Sequence, residues 1–419
     1  MVILSILSSN LRLRDSINRI NTLIDYAISL GQEVIAFTEH ESVSNAIKIE
    51  NYYQKIKKDN PNFKVILGNE IYLCRDGLTA ETFIKGEDKF YHFILLAKDA
   101  EGHKQIRQLS SRAWKRSWMN GKMRRVPTYY QDIIDIIGAA PGHVIGSTAC
   151  LGGFLDTKLL QCAKTADEEL YNKIKNWCLQ MQGIFGEGNF YLEMQPSASE
   201  EQLIANKGIY TLSKELNIPF IITCDEHYLK KEDAFIHKAY LNAQEGDREV
   251  DAFYATTYLM STEELESHMD NFNQEVFQEA YQNILDIKNK CEDYSLKKAL
   301  KIPSLKWRTP KTTIINQDWY DKIPYLETFY NSDFNGDKVL AQLLIDKFES
   351  DKRLCNQEHY DEVNDNLRIT WESSNVNKAH WSAYFLNLQQ IIDVCWDAGT
   401  LVGPGRGSGV GFLLLICLI

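Results

Sequence analysis

Val34-Ile35-Ala36-Phe37-Thr38-Glu39-His40 opens with four apolar residues and closes on a carboxylate beside an imidazole. A continuous apolar run reads as a strand buried on both faces, because a strand with one wet face alternates apolar and polar residues. The same form recurs along the first half of the chain. Val65-Ile66-Leu67 leads to Glu70, His143-Val144-Ile145 leads to Cys150, and Phe220-Ile221-Ile222 leads to Asp225 and His227. Phe93-Ile94-Leu95-Leu96 follows His92, and Phe190-Tyr191-Leu192 is a further run. Between them, Ile17, Ile20, Leu23, Ile24 and Ala27 recur at helical spacing, as do Leu170, Ile174, Trp177, Cys178 and Met181, and more loosely Leu203, Ile209, Leu212 and Leu216. Buried strands alternating with amphipathic helices predict an α/β fold. Its mostly parallel sheet is covered on both sides, as in a barrel or a doubly wound fold.

In a parallel barrel the carboxyl ends of the strands build the site. Glu39, His40, Glu70, Cys150, Asp225 and His227 stand at such ends; His92 precedes its strand and fits the rule less well. Imidazole, carboxylate and thiolate together suit Zn²⁺ or a similar metal such as Mn²⁺. Such an ion generates hydroxide and clamps phosphoryl oxygens, which is phosphoesterase chemistry. The alternative is a set of structural hydrogen-bonding groups that satisfy one another.

The chain has 419 residues, enough for two or three domains, and a net charge of −11, which argues against indiscriminate nucleic-acid binding. Its nine cysteines form no CxxC pair, so reduced thiols and a cytoplasmic setting are expected. The N-terminus lacks the basic and long apolar regions of a signal peptide, and Phe412–Ile419 is too short to span a bilayer.

Against this acidic background, Gly102 to Gln131 contains no Asp or Glu. It carries Arg112, Lys115, Arg116, Lys122, Arg124 and Arg125 with Trp114 and Trp118 interleaved. This is the candidate nucleic-acid or partner surface; the alternative is a solvated helix face with a basic loop. Residues 263–300 and the run Val339 to Phe348 read as helical. Tyr384–Ala398 ends at Gly399 as a C′ residue. Leu401-Val402-Gly403-Pro404-Gly405-Arg406-Gly407-Ser408-Gly409-Val410-Gly411 follows. Its glycines let backbone N–H groups approach and cradle phosphate oxygens, with Arg406 and Ser408 as further donors.

Taken together, these segments resemble the alpha subunit of bacterial replicative DNA polymerase III, the C family. The glycine loop is similar to that family's palm motif, and Ala383-Tyr384-Phe385-Leu386 to the segment before it. Tyr258-Leu259-Met260-Ser261-Thr262-Glu263-Glu264-Leu265 resembles the end of the family's first domain. Thr38-Glu39-His40, Leu95 to Gly102, Ala149 to Gly153 and Asp225 to Leu229 resemble its polymerase and histidinol phosphatase (PHP) domain. The resemblance is collinear over essentially the whole chain. It implies a distorted seven-stranded β/α barrel over 1–272, a helical connection over 273–336, and an α+β partial palm over 337–419. It also implies nucleotide contacts at Gly405, Arg406, Gly407, Ser408 and Gly409.

The sequence departs from the family twice. Ile6 and Ser8 stand where active PHP domains carry a His-x-His pair, and Glu39 replaces an aspartate. Phosphoesterase activity is therefore expected to be impaired or absent. The family's catalytic aspartates, which hold Mg²⁺, lie beyond Ile419, so no catalytic polymerase residue is expected in this chain. Three functions are open. One is the N-terminal portion of a split polymerase, working on DNA primer-template and dNTP with a downstream chain or splicing partner. A second is a stand-alone metal-dependent phosphoesterase or 3′–5′ exonuclease. The third is a non-catalytic scaffold for a proofreading exonuclease.

Overall fold

The apolar runs become strands that close on themselves. In the computed structural model these are β1 (Leu4–Leu7), β2 (Val34–Phe37), β3 (Lys64–Cys74), β4 (Tyr91–Ala97), β5 (Trp118–Asn120), β6 (Met123–Arg125), β7 (Pro127–Tyr129), β8 (Val144–Ser147), β9 (Phe190–Met194) and β10 (Phe220–Glu226). The structure describes residues 17–121, 123–197, 199–242, 254–307, 315–403 and 413–414, with the backbone of Leu4–Leu7. The spatial order is β2-β1-β10-β9-β8-β4-β3, and β3 pairs back to β2, giving a seven-stranded barrel. Neighbours are parallel except at β4, which runs antiparallel to both β3 and β8. β7 extends the sheet from the end of β3, and β5 and β6 form a separate hairpin.

The barrel explains why the runs are continuous. Val34, Ala36, Ile66, Ile94, Leu96, Ile145, Tyr191 and Ile221 share one buried cluster with Ile284, Ile287 and Cys291, the last three from the end of helix Gln274–Lys290 and the residue after it. Their strand neighbours face the other way: Leu73, Phe93, Leu95, Phe190, Leu192, Phe220 and Ile222 pack with Ile106, Leu109, Trp177, Met181, Phe185, Ile209 and Leu212. Each such buried side chain contributes about 2 kcal/mol, so apolar residues are favoured on both faces along these runs.

Two compact units divide at Lys297 and Lys298. Helix Gln274–Lys290, within the stretch expected as a connection, packs on the barrel: Asn283 Nδ2 donates to the Phe220 carbonyl at 2.8 Å, and Val276, Phe277 and Ala280 join the barrel's outer core. The second unit, among the described residues, is helical. Its principal helices are Asn335–Ser350, Gln357–Asn377 and Trp381–Asp397, around Leu326, Phe329, Leu340, Leu344, Phe348, Val363, Leu367 and Leu386. The strands that an α+β palm implies are not among those residues. Buried Asp337 accepts from Ser332 Oγ at 2.6 Å and from Ser382 Oγ, tying the starts of two helices together. Helix Trp381–Asp397 ends as expected: Gly399 N–H reaches the Trp396 carbonyl and Thr400 N–H that of Cys395, both at 2.9 Å, with Gly399 at φ +71°. No described helix is long and apolar enough to cross a membrane.

Candidate metal centre

The mouth of the barrel gathers the polar residues that followed the apolar runs. His40, just after β2, forms a bridge to Glu70 in β3; Glu41 N–H donates to the Glu70 carbonyl at 2.6 Å and Glu70 N–H to that of Glu39 at 3.1 Å. His92 is the second residue of β4. Because β4 runs backwards, its beginning lies at the mouth, in register with Tyr72, two residues beyond Glu70. The strand-end rule fails for His92 in sequence and holds for it in space.

His40, Glu70 and His92 present ligand atoms within 4.8 Å of one another. His92 Nδ1 lies 2.6 Å and His40 Nδ1 3.6 Å from Glu70 Oε1. Cys150 Sγ is 3.4 Å from His92 Nδ1. His227 faces the group, with its ring 6.4 Å from that of His40. Its Nδ1 is 2.7 Å from the Asp225 carbonyl and 3.6 Å from Asp225 Oδ1. A carbonyl only accepts, so Nδ1 of His227 carries a proton toward Asp225. Glu39 is turned aside: its carboxylate accepts from Asn45 Nδ2, and it does not join the three clustered ligands. Ile6 pairs in register with Asp225 and brings no ligating atom; Ser8 lies outside the described residues.

The charges are mutually dependent. Burial opposes ionisation of Glu70, but His40 and His92 overcome it and hold the carboxyl below its ordinary range. Burial likewise opposes charge on His92, while Cys150 and Glu70 push its pKa well above the usual imidazole value. Burial pushes the Cys150 thiol up to about 12 and raises Asp225. In the absence of an ion, the proton held on His92 balances Glu70, and a cation bound there displaces it.

Backbone strain collects at the same place. Glu41 (φ +53°) follows His40, and Ala149 (φ +61°) precedes Cys150; among the described residues the other non-glycine residues with positive φ, Ala166, Asn217 and Lys378, are helix C-caps. Gly152 lies against His92, and a Cβ there would sit 3.1 Å from the imidazole carbons.

Glu193 is among the buried acids that escaped the sequence reading. Glu193 on β9 accepts from Ser147 Oγ at 2.5 Å, Thr223 Oγ1 at 2.6 Å and Gln195 Nε2 at 3.2 Å. Burial pushes its carboxyl up to about 7. Its signal was present: it follows Phe190-Tyr191-Leu192 as the other acids follow their runs.

The basic stretch separates into two sets. Arg116 forms a bidentate pair with Asp132 at 2.6 and 2.9 Å, and Arg112 reaches Asp132 and Asp135 at 3.4 and 3.3 Å. Both are committed to carboxylates that begin just beyond the acid-free window. Lys115 and Arg124 are exposed, Arg125 is half-buried, and Lys122 lies outside the described residues. So do Gly405, Arg406, Gly407, Ser408 and Gly409.

Two stretches of the chain match known families. Residues 7–197 match the PHP domain, and residues 338–419 match the bacterial DNA polymerase III alpha NTPase domain. The chain is 34% identical over 431 residues to the probable DNA polymerase YorL of Bacillus subtilis (strain 168), and equally to the DNA-directed DNA polymerase of Bacillus phage SPbeta. Each alignment covers 97% of this chain and 33% of the relative. The DNA polymerase III subunit alpha of Aquifex aeolicus (strain VF5) is 24% identical over 97% of this chain and 32% of its own length. The chain thus spans about a third of the length of the curated relatives it matches. It carries regions matching the PHP domain and the bacterial DNA polymerase III alpha NTPase domain, and along 97% of its length it is a homologue of these DNA polymerases.

Proposed function

We propose that this chain is the N-terminal portion of a C-family replicative DNA polymerase. It contributes the PHP barrel and a dNTP-triphosphate loop at Gly405–Gly409 to template-directed DNA synthesis. The observation that carries this reading is the collinear pair of domain matches within polymerase relatives three times as long. The carboxylates that hold Mg²⁺ for nucleotidyl transfer are supplied by residues outside this sequence, on a second chain in the split arrangement. Co-expression with the cognate downstream polymerase chain is expected to give a complex that extends a DNA primer in Mg²⁺. If the two chains neither associate nor extend a primer, the reading fails.

The barrel mouth has its own role. The donor set of His40, Glu70 and His92, with Cys150 beside it, fits Zn²⁺ or Mn²⁺ in chemistry and spacing. A bound ion there supplies Lewis-acid polarisation of a phosphoryl oxygen. Glu70 neutralises part of its charge, His92 and His40 present nitrogen, and Asp225 fixes the tautomer of His227. With hydrocarbon at Ile6 and Glu39 held by Asn45, the ligands of a multinuclear phosphoesterase are incomplete, which favours a residual or scaffolding centre over a working exonuclease. Elemental analysis is expected to find no more than about one ion per chain, with no hydrolysis of single-stranded DNA. Release of nucleotides from a 3′ end, abolished by Glu70→Gln, would restore the exonuclease reading.

A further inference from the structure

Outside the metal centre, a small aromatic and cationic surface is built from two segments of the barrel unit. The loop between β3 and β4 carries Phe83 and Phe90, whose rings are 6.0 Å apart. The β5–β6 hairpin lays Trp118 beside Phe90, with centroids 6.1 Å apart at 53°. Arg125, paired in register with Trp118, places its guanidinium 4.6 Å from the Phe90 centroid. All three rings are half-buried, so part of each remains open to solvent. The loop is fixed by Arg75, whose Nε donates to Asp88 at 2.5 Å and whose second nitrogen reaches the Thr82 carbonyl at 2.8 Å.

The cations here differ from their neighbours in sequence. Arg112 and Arg116 are spent on Asp132 and Asp135. Among the described residues, Lys115, Arg124 and Arg125 enter no ion pair, and Arg125 Nε is buried without a hydrogen-bond partner. Among the described residues, Arg124 holds the Ser117 hydroxyl, at 3.1 Å. On a chain with net charge −11, this local excess of uncommitted positive charge beside exposed ring faces matches a polyanion that also stacks. A protein partner of ordinary composition needs no such charge, and duplex DNA hides the base faces.

We propose that the β5–β6 hairpin and the loop before β4 form a platform for single-stranded nucleic acid. Bases stack on Trp118 and Phe90, while Lys115, Arg124 and Arg125 take the phosphates. The platform needs neither the metal centre nor polymerase activity, so its failure leaves the polymerase reading untouched.

The test is fluorescence anisotropy of the 419-residue chain with a labelled oligothymidylate of about 20 nucleotides, a duplex of the same length, and an abasic strand of equal charge. The single strand is expected to bind tightest. Trp118→Ala is expected to weaken it roughly tenfold while changing abasic binding little. Arg124→Ala combined with Arg125→Ala is expected to make the log Kd against log salt dependence shallower by about 1.4, since each phosphate contact on a single strand contributes about 0.7. Lys173→Ala, which removes an exposed cation from helix Glu168–Phe185, serves as the control and leaves binding unchanged. Should Trp118→Ala or the double variant lose its cooperative melting transition, Arg124→Ala alone decides, because Arg124 is exposed. The proposal is overturned if folded variants bind the oligothymidylate within about twofold of wild type. It is also overturned if the abasic strand binds as tightly as the base-bearing one, or if the variants lose only association with a polymerase chain.

Discussion

Glu193 shows how one buried carboxyl can set a pH dependence. It titrates near 4.5 when exposed and at about 7 in the fold. Between those values the folded chain holds a proton that the unfolded chain has released. The stabilisation is therefore complete below about 4.5 and is lost as pH rises through about 7, on the order of 3 kcal/mol in all. Glu193→Gln, which stays neutral, is expected to flatten that part of the stability curve; urea titrations at pH 5 and pH 8 measure it, and an unchanged difference between them would refute the assignment. Gly152 sets a geometric condition beside it. Gly152→Ala pushes against the His92 ring and is expected to lower Mn²⁺ or Zn²⁺ affinity roughly tenfold. The cost to folding is about 1–3 kcal/mol. Equilibrium dialysis and thermal melts separate the two effects. The residues gathered at the barrel mouth were legible because an acid, thiol or imidazole after an apolar run breaks the pattern. Their pairing was not. Nothing in Glu39 announces that Asn45 takes its carboxylate, and nothing in Gly102 to Gln131 shows that Arg112 and Arg116 look forward to Asp132.

Among elements, the strands with the plainest apolar runs were the ones read correctly, and β2 matches Val34–Phe37 residue for residue. The direction of β4 was not readable, since a buried strand looks alike from either end. β5, β6 and β7 are three residues each, too short for any period to show, so a basic loop and a hairpin were indistinguishable. Helix ends carried more information. Gly399 stood out as a terminator, and the structure gives it a left-handed φ with both capping bonds made. Gly399→Ala is expected to cost about 1 kcal/mol by forcing a side chain into that region. A shift of the melting transition no larger than that of a neutral surface substitution would count against the motif.

For the whole molecule, the two units keep separate hydrophobic cores. Calorimetry is expected to resolve two unfolding transitions. Asp337→Ala leaves the Ser332 and Ser382 hydroxyls without their acceptor and is expected to lower one of them, at a cost of about 2–3 kcal/mol, while the other stays in place. A single transition displaced as a whole would show that the units unfold together. The reversal of β4 has a further consequence at this scale. Both ends of the segment between β3 and β4 emerge at the mouth, so that segment never crosses the barrel floor. Insertions at the exposed tip of that segment, between Lys85 and Gly86, leave every strand register intact and change how far the rim projects. Loop length there becomes an adjustable parameter, able to drift between related polymerases while the barrel beneath keeps its packing.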